Sequence, residues 1–484
     1  MTEALTIAVV GHTNAGKTSL LRTLTRRVDF GQVSDRPGTT RHAEAVALRL
    51  DGREAVRFID TPGLEDSVAL LDFLARQPGD SRPERVRAFL AGPEARASFE
   101  QEAKVLRALL EQADCAMLVI DTREPVLPKH RAEIEILASC AKPVMPVLNF
   151  VRDGASRLAD WHRALEESNL HARAEFDAVA PFTGAEQRLY ADLATLLPAR
   201  RAQLQHIVDA LAQAERERRL AACRVIASTL IDVAAQRRSL SAEAFADPEQ
   251  QQAWVRDFQA QTGRHARRAV DELLALYAFG ADDAELSELP LPAGRWEDDL
   301  FNPELLLQAG KRLGLGAMIG AGVGAVADVA LAGLSLGAAT TLGATVGGAV
   351  SGGWRPLWRK LQNRLDGVQE LTVEDPVLLL LADHLLALTR ALARRGHAAQ
   401  QRLQVRGTQA DEGWLDEGLR DLVRELWPAR GRPQWERGAT GSAVADADRQ
   451  ALESALARRL DGRLGQENEV LEPVPQRRRL MSNS

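Results

Sequence analysis

The chain has 484 residues, a net charge of −6, 45% hydrophobic and 26% charged residues. That length excludes a single small module, and the composition excludes a collagen-like or wholly disordered chain. The acidic balance argues against nucleic-acid affinity spread over the whole surface and leaves room only for a local basic patch. Cys115, Cys140 and Cys223 have no CxxC spacing, so they suggest neither a disulfide framework nor a zinc site and fit a reducing cytoplasm. The N-terminus lacks a basic region ahead of its apolar run and does not read as a secretory signal.

Short apolar runs at Leu5–Val10, Ala45–Leu50, Ala55–Ile59, Cys115–Ile120, Val144–Leu148 and Phe176–Ala180 read as strands that alternate with helical patterns. This rhythm predicts an α/β domain, a mostly parallel sheet with flanking helices. An insert at Glu65–Asp114, with helical spacing over Ala97–Gln112, lengthens the region after the third strand. From Ala199 onward the strand signal stops and an all-α domain is predicted. Arg201–Arg238 reads as one or two long amphipathic helices, and the acidic, proline-containing stretch Ala281–Asp299 as a surface loop. A further helix starts with Asp375 as N-cap and Pro376 at the first helical position, and it ends before Gly396 after the basic pair Arg394 and Arg395. Gly407–Gly413 and Pro428–Ala447 look like loops, and Glu467–Ser484 like a flexible tail. No internal repeat of fixed period is present.

Leu313–Trp354 differs from the rest: 42 residues whose only charge is Asp328 and which hold 12 of the chain's 36 glycines. The segment could make two helices of ~20 residues, each long enough for a ~30 Å hydrocarbon layer. Gly316, Gly320 and Gly324, then Gly333 with Gly337 and Gly343 with Gly347, would let them pack closely, with the turn near Ser335–Thr341. Two readings stand: a membrane-contacting helical hairpin, against which Asp328 counts at roughly 2.5–3.5 kcal/mol, and a hairpin buried by the protein's own helices.

The chemistry is concentrated at the N-terminus. Gly11-His12-Thr13-Asn14-Ala15-Gly16-Lys17-Thr18 fits GxxxxGK[ST] after a buried strand and before a helix that includes Ser19. Glycines let the backbone N–H groups and the helix start converge on a phosphate, Lys17 neutralises β and γ oxygens, and Thr18 offers a hydroxyl to Mg²⁺. Asp60-Thr61-Pro62-Gly63 follows the strand that ends at Ile59, so Asp60 can hold Mg²⁺ through water and the Gly63 N–H can sense a γ-phosphate. Between these motifs, Pro37-Gly38-Thr39-Thr40-Arg41 supplies threonines that a third phosphate and its metal could order.

GxxNxGKT, GTTR and DTPG, in this order and spacing, resemble the Era and TrmE type of P-loop GTPase over residues 5–198, and Leu118–Pro125 is similar to the fourth strand and following turn of such proteins. The helical half more loosely resembles uncharacterised C-terminal regions carried by some bacterial members. The resemblance implies GTP as ligand, Mg²⁺ at Thr18, Asp60 and Thr40, and Lys17, Asn14 and Thr40 as catalytic residues. It also implies K⁺ beside the phosphates through Asn14, where such a cation can replace an arginine finger. Leu64 stands where many relatives keep a water-positioning glutamine. Base recognition by Asn-Lys-x-Asp has its counterpart in Asn149-Phe150-Val151-Arg152-Asp153, with Phe150 replacing the lysine and Asp153 one residue late. The last motif of the type would fall on Ala180-Pro181-Phe182. Guanine is the base implied by the resemblance, and the residues themselves leave adenine open.

The expected organisation is therefore a GTP-binding domain at residues 1–198, with its insert at 65–114, a helical effector domain at 199–466 containing the Gly-rich hairpin 313–354, and a tail at 467–484. The expected function is a GTP-hydrolysing switch coupled to the helical domain, or alternatively a ribosome- or RNA-assembly factor acting chiefly by binding. GTP or GDP, an effector protein, a membrane through 313–354, RNA or the ribosome, and a second copy in a nucleotide-dependent homodimer are the partners considered. The expected location is the cytoplasm, including the inner face of its membrane. His384 beside Asp383 reads as a helix contact, and Arg267–Arg268 and Arg477–Arg479 as solvated charge.

Overall fold

Six short strands make one sheet, in which the central strands are apolar and covered on both faces while the strands toward its edges keep exposed positions. They are β1 (Leu5–Val10), β2 (Glu44–Leu50), β3 (Arg53–Asp60), β4 (Cys115–Asp121), β5 (Val144–Asn149) and β6 (Ala174–Glu175), in the order β2-β3-β1-β4-β5-β6. β2 is antiparallel to β3, and every other pairing is parallel. Among them run α1 (Lys17–Thr25), α2 (Ser67–Ala75), α3 (Arg82–Ala91), α4 (Glu100–Arg107), α5 (Pro128–Ser139), α6 (Leu158–Glu167) and α7 (Ala185–Leu196), followed by α8 (Arg201–Ala235). The structure is a computed structural model that describes residues 3–25, 44–50, 52–178, 184–277, 334–336, 368–393, 417–438 and 446–471.

Side-chain alternation along the strands separates two cores. Leu5, Ile7 and Val9 pack with Leu20, Leu21 and Leu24 of α1 and Leu189 and Leu193 of α7. Ala8 and Val10 point the other way, onto Leu70 of α2, Leu106 of α4, Ile134 and Leu137 of α5 and Trp161 of α6. Each fully buried leucine contributes about 1.5–3 kcal/mol relative to an exposed one. The chain leaves β1 toward β3 on one side and β4 on the other, so the strand order reverses at β1. The carboxyl ends of strands at such a point are where open α/β sheets bind ligands.

The insert forms helices with clear start signals. The Asp66 side chain accepts from the Ala69 N–H at 3.2 Å to cap α2, and Ser81 and Glu84 form a reciprocal capping box on α3. Phe73, Phe89 and Phe99 stack with centroids 5.6–6.1 Å apart. The predicted helix Ala97–Gln112 starts at Glu100, and its last turn, Ala108–Gln112, is a π-turn.

The sixth strand starts earlier than expected. Pairing covers Ala174–Glu175, the Phe176 N–H still donates to the Leu148 carbonyl at 2.9 Å, and the Ala178 N–H is taken by the Asn149 side chain at 3.0 Å; Val179 and Ala180 lie outside the described residues. The division between the two compact units falls inside α8, between Arg216 and Glu217. Leu204, Ile207 and Leu211 belong to the core of the sheet, which carries that unit beyond residue 198.

The second unit is mostly helical but not wholly so. It contains the remainder of α8, β7 (Arg237–Ser241), α9 (Ala242–Phe245), α10 (Pro248–Leu276), β8 (Leu334–Leu336), β9 (Val368–Val373), α11 (Asp375–Ala393), α12 (Glu417–Glu425), α13 (Trp427–Arg430) and α14 (Ala447–Leu471). β7, β9 and β8 form an antiparallel sheet in that order, an element that the expected all-α domain did not include. The signal was the alternation in Val368-Gln-Glu-Leu-Thr-Val373, whose Leu371 and Val373 are buried. Within the Gly-rich segment, Leu334–Leu336 are a strand where the expected hairpin enters its turn, and the rest of 313–354 lies outside the described residues. The same holds for Thr39, Thr40, Ala180–Phe182, 281–299, Gly396 and 407–413.

Two expected non-helical stretches are partly ordered helix. α14 continues to Leu471, past the predicted start of the tail, and Pro433–Trp435 is a 3₁₀ turn inside the predicted loop 428–447. Trp435 anchors that turn: it is 1% exposed, its Nε1–H donates to Asp446 at 2.7 Å, and the Arg432 guanidinium lies 4.5 Å from its ring centre. Among the described residues α11 alone is long and apolar enough to cross a membrane, yet Leu378, Leu381, Leu385 and Leu388 are buried in the second unit's core. His384 Nδ1 lies 2.7 Å from the Leu380 carbonyl of its own helix. All three cysteines are free and buried, and burial pushes their thiols up to about 12.

The core of this unit also contains a fully buried carboxylate. Asp232 of α8 accepts from Arg437 Nε at 2.5 Å, from the Arg437 N–H at 3.1 Å and from Arg449 of α14 at 2.9 Å. Arg449 is 3% exposed and also donates to Ser228 and the Trp435 carbonyl. Removing the shared carboxylate would take from two guanidinium groups their fully buried counter-charge and leave them the more exposed Glu453 and Glu272. We expect Asp232→Ala to destabilise this unit by about 3–5 kcal/mol, read from denaturant unfolding of the full chain; a loss below about 1 kcal/mol would show that water or other groups satisfy the arginines.

Candidate nucleotide-binding site

The phosphate-binding loop, Gly11–Thr18, joins β1 to α1 and owes its curl to two glycines and an asparagine. Gly11 has φ +141° and Gly16 has φ +93°, values that disfavour side chains. Space forbids them too, since a Cβ would lie 2.3 Å from the Val119 carbonyl oxygen at Gly11 and 2.4 Å from Asn149 Nδ2 at Gly16. Asn14 has φ +67°, a left-handed conformation that asparagine tolerates, and its side chain is exposed. The Ala15 N–H donates to the His12 carbonyl at 3.2 Å and closes the turn.

Lys17 and Thr18 open α1. Lys17 is 8% exposed, and its Nζ donates to the carbonyls of Gly11 at 2.9 Å and His12 at 3.0 Å. Burial holds its ammonium below the usual lysine range, an effect that the charges of Asp60 and Glu133 partly offset. Thr18 Oγ1 donates to Asp60 Oδ2 at 2.8 Å, so the hydroxyl and carboxylate expected at a metal lie side by side. Both are hard oxygen donors of the kind Mg²⁺ takes. Ser19 follows on the first turn of α1, half-buried.

The Asp60–Gly63 turn meets this loop directly. A Cβ on Gly63 would lie 2.4 Å from Thr13 Oγ1 and 2.8 Å from the Thr13 nitrogen, so the two backbones touch. Thr61 is buried and donates to the Val9 carbonyl at 2.8 Å, tying the turn to β1. Leu64 is 0% exposed in the core that it shares with Leu70, and its aliphatic side chain cannot orient water.

The expected base-reading residues also make contacts within the protein. Asn149 is 1% exposed; its Nδ2 donates to the Ala15 carbonyl at 3.0 Å, and its Oδ1 accepts from Phe150 and Ala178, each at 3.0 Å. It braces the phosphate loop. Phe150 has φ +59°, and the Arg123 guanidinium carbon lies 3.7 Å from its ring centre. Arg123 also donates to both oxygens of Asp121, and its Nη1 lies 3.9 Å from Asp153 Oδ2. Asp153 is 41% exposed at its side chain and accepts from the Ala155 N–H at 2.9 Å. Sequence reading missed Arg123, although it lies within the quoted Leu118–Pro125 stretch. It also missed Lys129 and Glu133 of α5, which touch the His12 ring and whose only signal is a common i, i+4 spacing.

Residues 6–150 match the family described as "50S ribosome-binding GTPase", and residues 162–458 match "Domain of unknown function (DUF3482)". GTPase Der of Desulforudis audaxviator is 33% identical over 153 residues, which are 30% of this chain and 28% of that protein. The tRNA modification GTPase MnmE of Methylobacterium radiotolerans is 46% identical over 66 residues, 13% of this chain and 14% of that protein. This chain thus spans less than a third of the length of either relative. Among solved structures, Era of Aquifex aeolicus is 21% identical with a TM-score of 0.27, covering 37% of this chain and 52% of that one. The match over 162–458 takes in more than half of the chain, and the chain belongs to the DUF3482 family, with a P-loop GTPase domain at its N-terminus.

Proposed function

We propose that the chain is a GTP-binding and GTP-hydrolysing switch whose nucleotide state is passed to its DUF3482 region. The observation that carries this reading is the pairing of Thr18 with Asp60 beside a buried Lys17 that holds two loop carbonyls. A triphosphate entering the loop gives Lys17 phosphate oxygens in place of the Gly11 and His12 carbonyls, and its negative charge answers the ammonium that burial disfavours. The loop N–H groups and the N-terminus of α1 face the same phosphates. Thr18 and Asp60 would hold Mg²⁺, which supplies positive charge to the β and γ oxygens. Guanine is the proposed base, by likeness to the GTPase family, with a weaker preference than an intact Asn-Lys-x-Asp would give because Asp153 faces Arg123.

Removing the Lys17 charge should abolish function. We expect Lys17→Ala to lower GTP turnover by about 100-fold or more, measured as phosphate release by the purified full chain; unchanged turnover would overturn the hydrolase reading.

Leu64 cannot orient the attacking water, so another group must help stabilise the transition state. We propose K⁺ held beside Asn14 in that role, consistent with the exposed Asn14 side chain at the loop crest. Turnover should fall several-fold when Na⁺ replaces K⁺ at equal ionic strength, and Asn14→Ala should lose the difference. Equal rates in the two salts would remove the cation from the mechanism.

A further inference from the structure

We propose that Lys129 and Glu133 of α5 are positioning residues for the nucleotide site, clamping the His12 ring in its Nδ1–H tautomer and so fixing the phosphate-binding loop. The inference rests on the reading of that loop as a nucleotide site.

The donor and acceptor inventory dictates the tautomer. His12 Nε2 lies 2.7 Å from Lys129 Nζ, and Nδ1 lies 3.1 Å from Glu133 Oε1. An ammonium has donors and no acceptor, so Nε2 must accept. A neutral imidazole then carries its single proton on Nδ1, which donates to Glu133. Lys129 and Glu133 are one turn apart on α5 and present both partners from the same helix face. The Glu133 side chain is only 4% exposed, and burial pushes its proton affinity up; the His12 bond acts first against that, then the charges of Lys17 and Lys129.

The neighbours do not compete for the ring. His130, 5.8 Å from His12 between ring centres, is kept neutral because burial lowers it to about 4. Its Nδ1 accepts from the Leu127 N–H at 3.2 Å, and its Nε2 is 3.3 Å from Glu124, which also lies 3.4 Å from Lys129.

Fixing this ring matters because of what the His12 backbone does. Its carbonyl is one of the two that hold Lys17, and its own position sits between Gly11, pressed against β4, and Thr13, pressed against Gly63. The Lys129 carbonyl in turn accepts from Ser67 Oγ at 2.8 Å, at the start of α2 just beyond the Asp60–Gly63 turn. The first turn of α5 therefore touches both the phosphate loop and the segment that follows the second motif.

The test uses the full chain with ¹⁵N-labelled histidine and a non-hydrolysable GTP analogue. The His12 signals, identified among nine histidines by their loss in His12→Asn, should report Nδ1–H and not the Nε2–H form that predominates in free imidazole side chains. Glu133→Leu and Lys129→Met should each weaken analogue binding about tenfold or more, with kcat at saturation changed far less than KM. Glu133→Gln, which keeps an acceptor for Nδ1–H, should stay within about threefold of the wild type. Lys129 is 30% exposed at its side chain, so its variant decides the matter if Glu133→Leu fails to fold. An Nε2–H ring in the wild type, or wild-type affinity in Lys129→Met, overturns the clamp. A wild type that binds no analogue overturns the nucleotide reading, and the tautomer signal then still judges the clamp alone.

Discussion

The Asn149 carboxamide holds three separate pieces of backbone in one place: the Ala15 carbonyl, the Phe150 N–H and the Ala178 N–H. At 1% exposure it has no water to fall back on, so each of these bonds is expensive to leave unmade. Gly16 exists as glycine because Nδ2 of this residue occupies the space a side chain would need. A loop that must present successive N–H groups to an anion cannot satisfy them internally, and its shape has to be imposed from outside. Asn149 from β5, Val119 from β4 and the α5 face around His12 impose it from three directions.

This preformed shape explains how Lys17 can be buried. Its ammonium is desolvated and is compensated by two loop carbonyls, with Asp60 and Glu133 opposing the effect of burial. Carbonyl dipoles are weaker partners than phosphate oxygens, so the arrangement favours a polyanion without requiring the loop to reorganise. Thr18 and Asp60 are likewise already in contact, and the Asp60–Gly63 turn touches Thr13 through backbone. Pre-organisation of this kind reduces the ordering cost that binding must meet.

What was legible in the sequence was whatever chemistry fixes at short range. Gly11, Gly16, Lys17 and Thr18 are dictated by the backbone curl and the charge to be bound, and the buried strands by their continuous apolar runs. What was not legible depends on partners distant in the chain. Asn149 reads as a base contact by position, and nothing local shows that its amide also bonds Ala15 and Ala178, 134 and 29 residues away. Phe176–Ala180 has strand composition, but the Ala178 N–H bonds the Asn149 side chain instead of a neighbouring strand. In the second unit, Arg237–Ser241, polar at every position but Leu240, pairs with Val368–Val373 across more than a hundred residues, and nothing local marks it as a strand. Asp232, Arg437 and Arg449 lie in segments that read as ordinary charged helix or loop until burial brings them together.

The most direct test of this account is competition for a labelled GTP analogue on the purified full chain, with Mg²⁺ present and then chelated. Saturable binding that weakens on chelation, and that GTP displaces at lower concentration than ATP, is the result the account predicts. No saturable binding, or displacement by ATP as readily as by GTP, would contradict it.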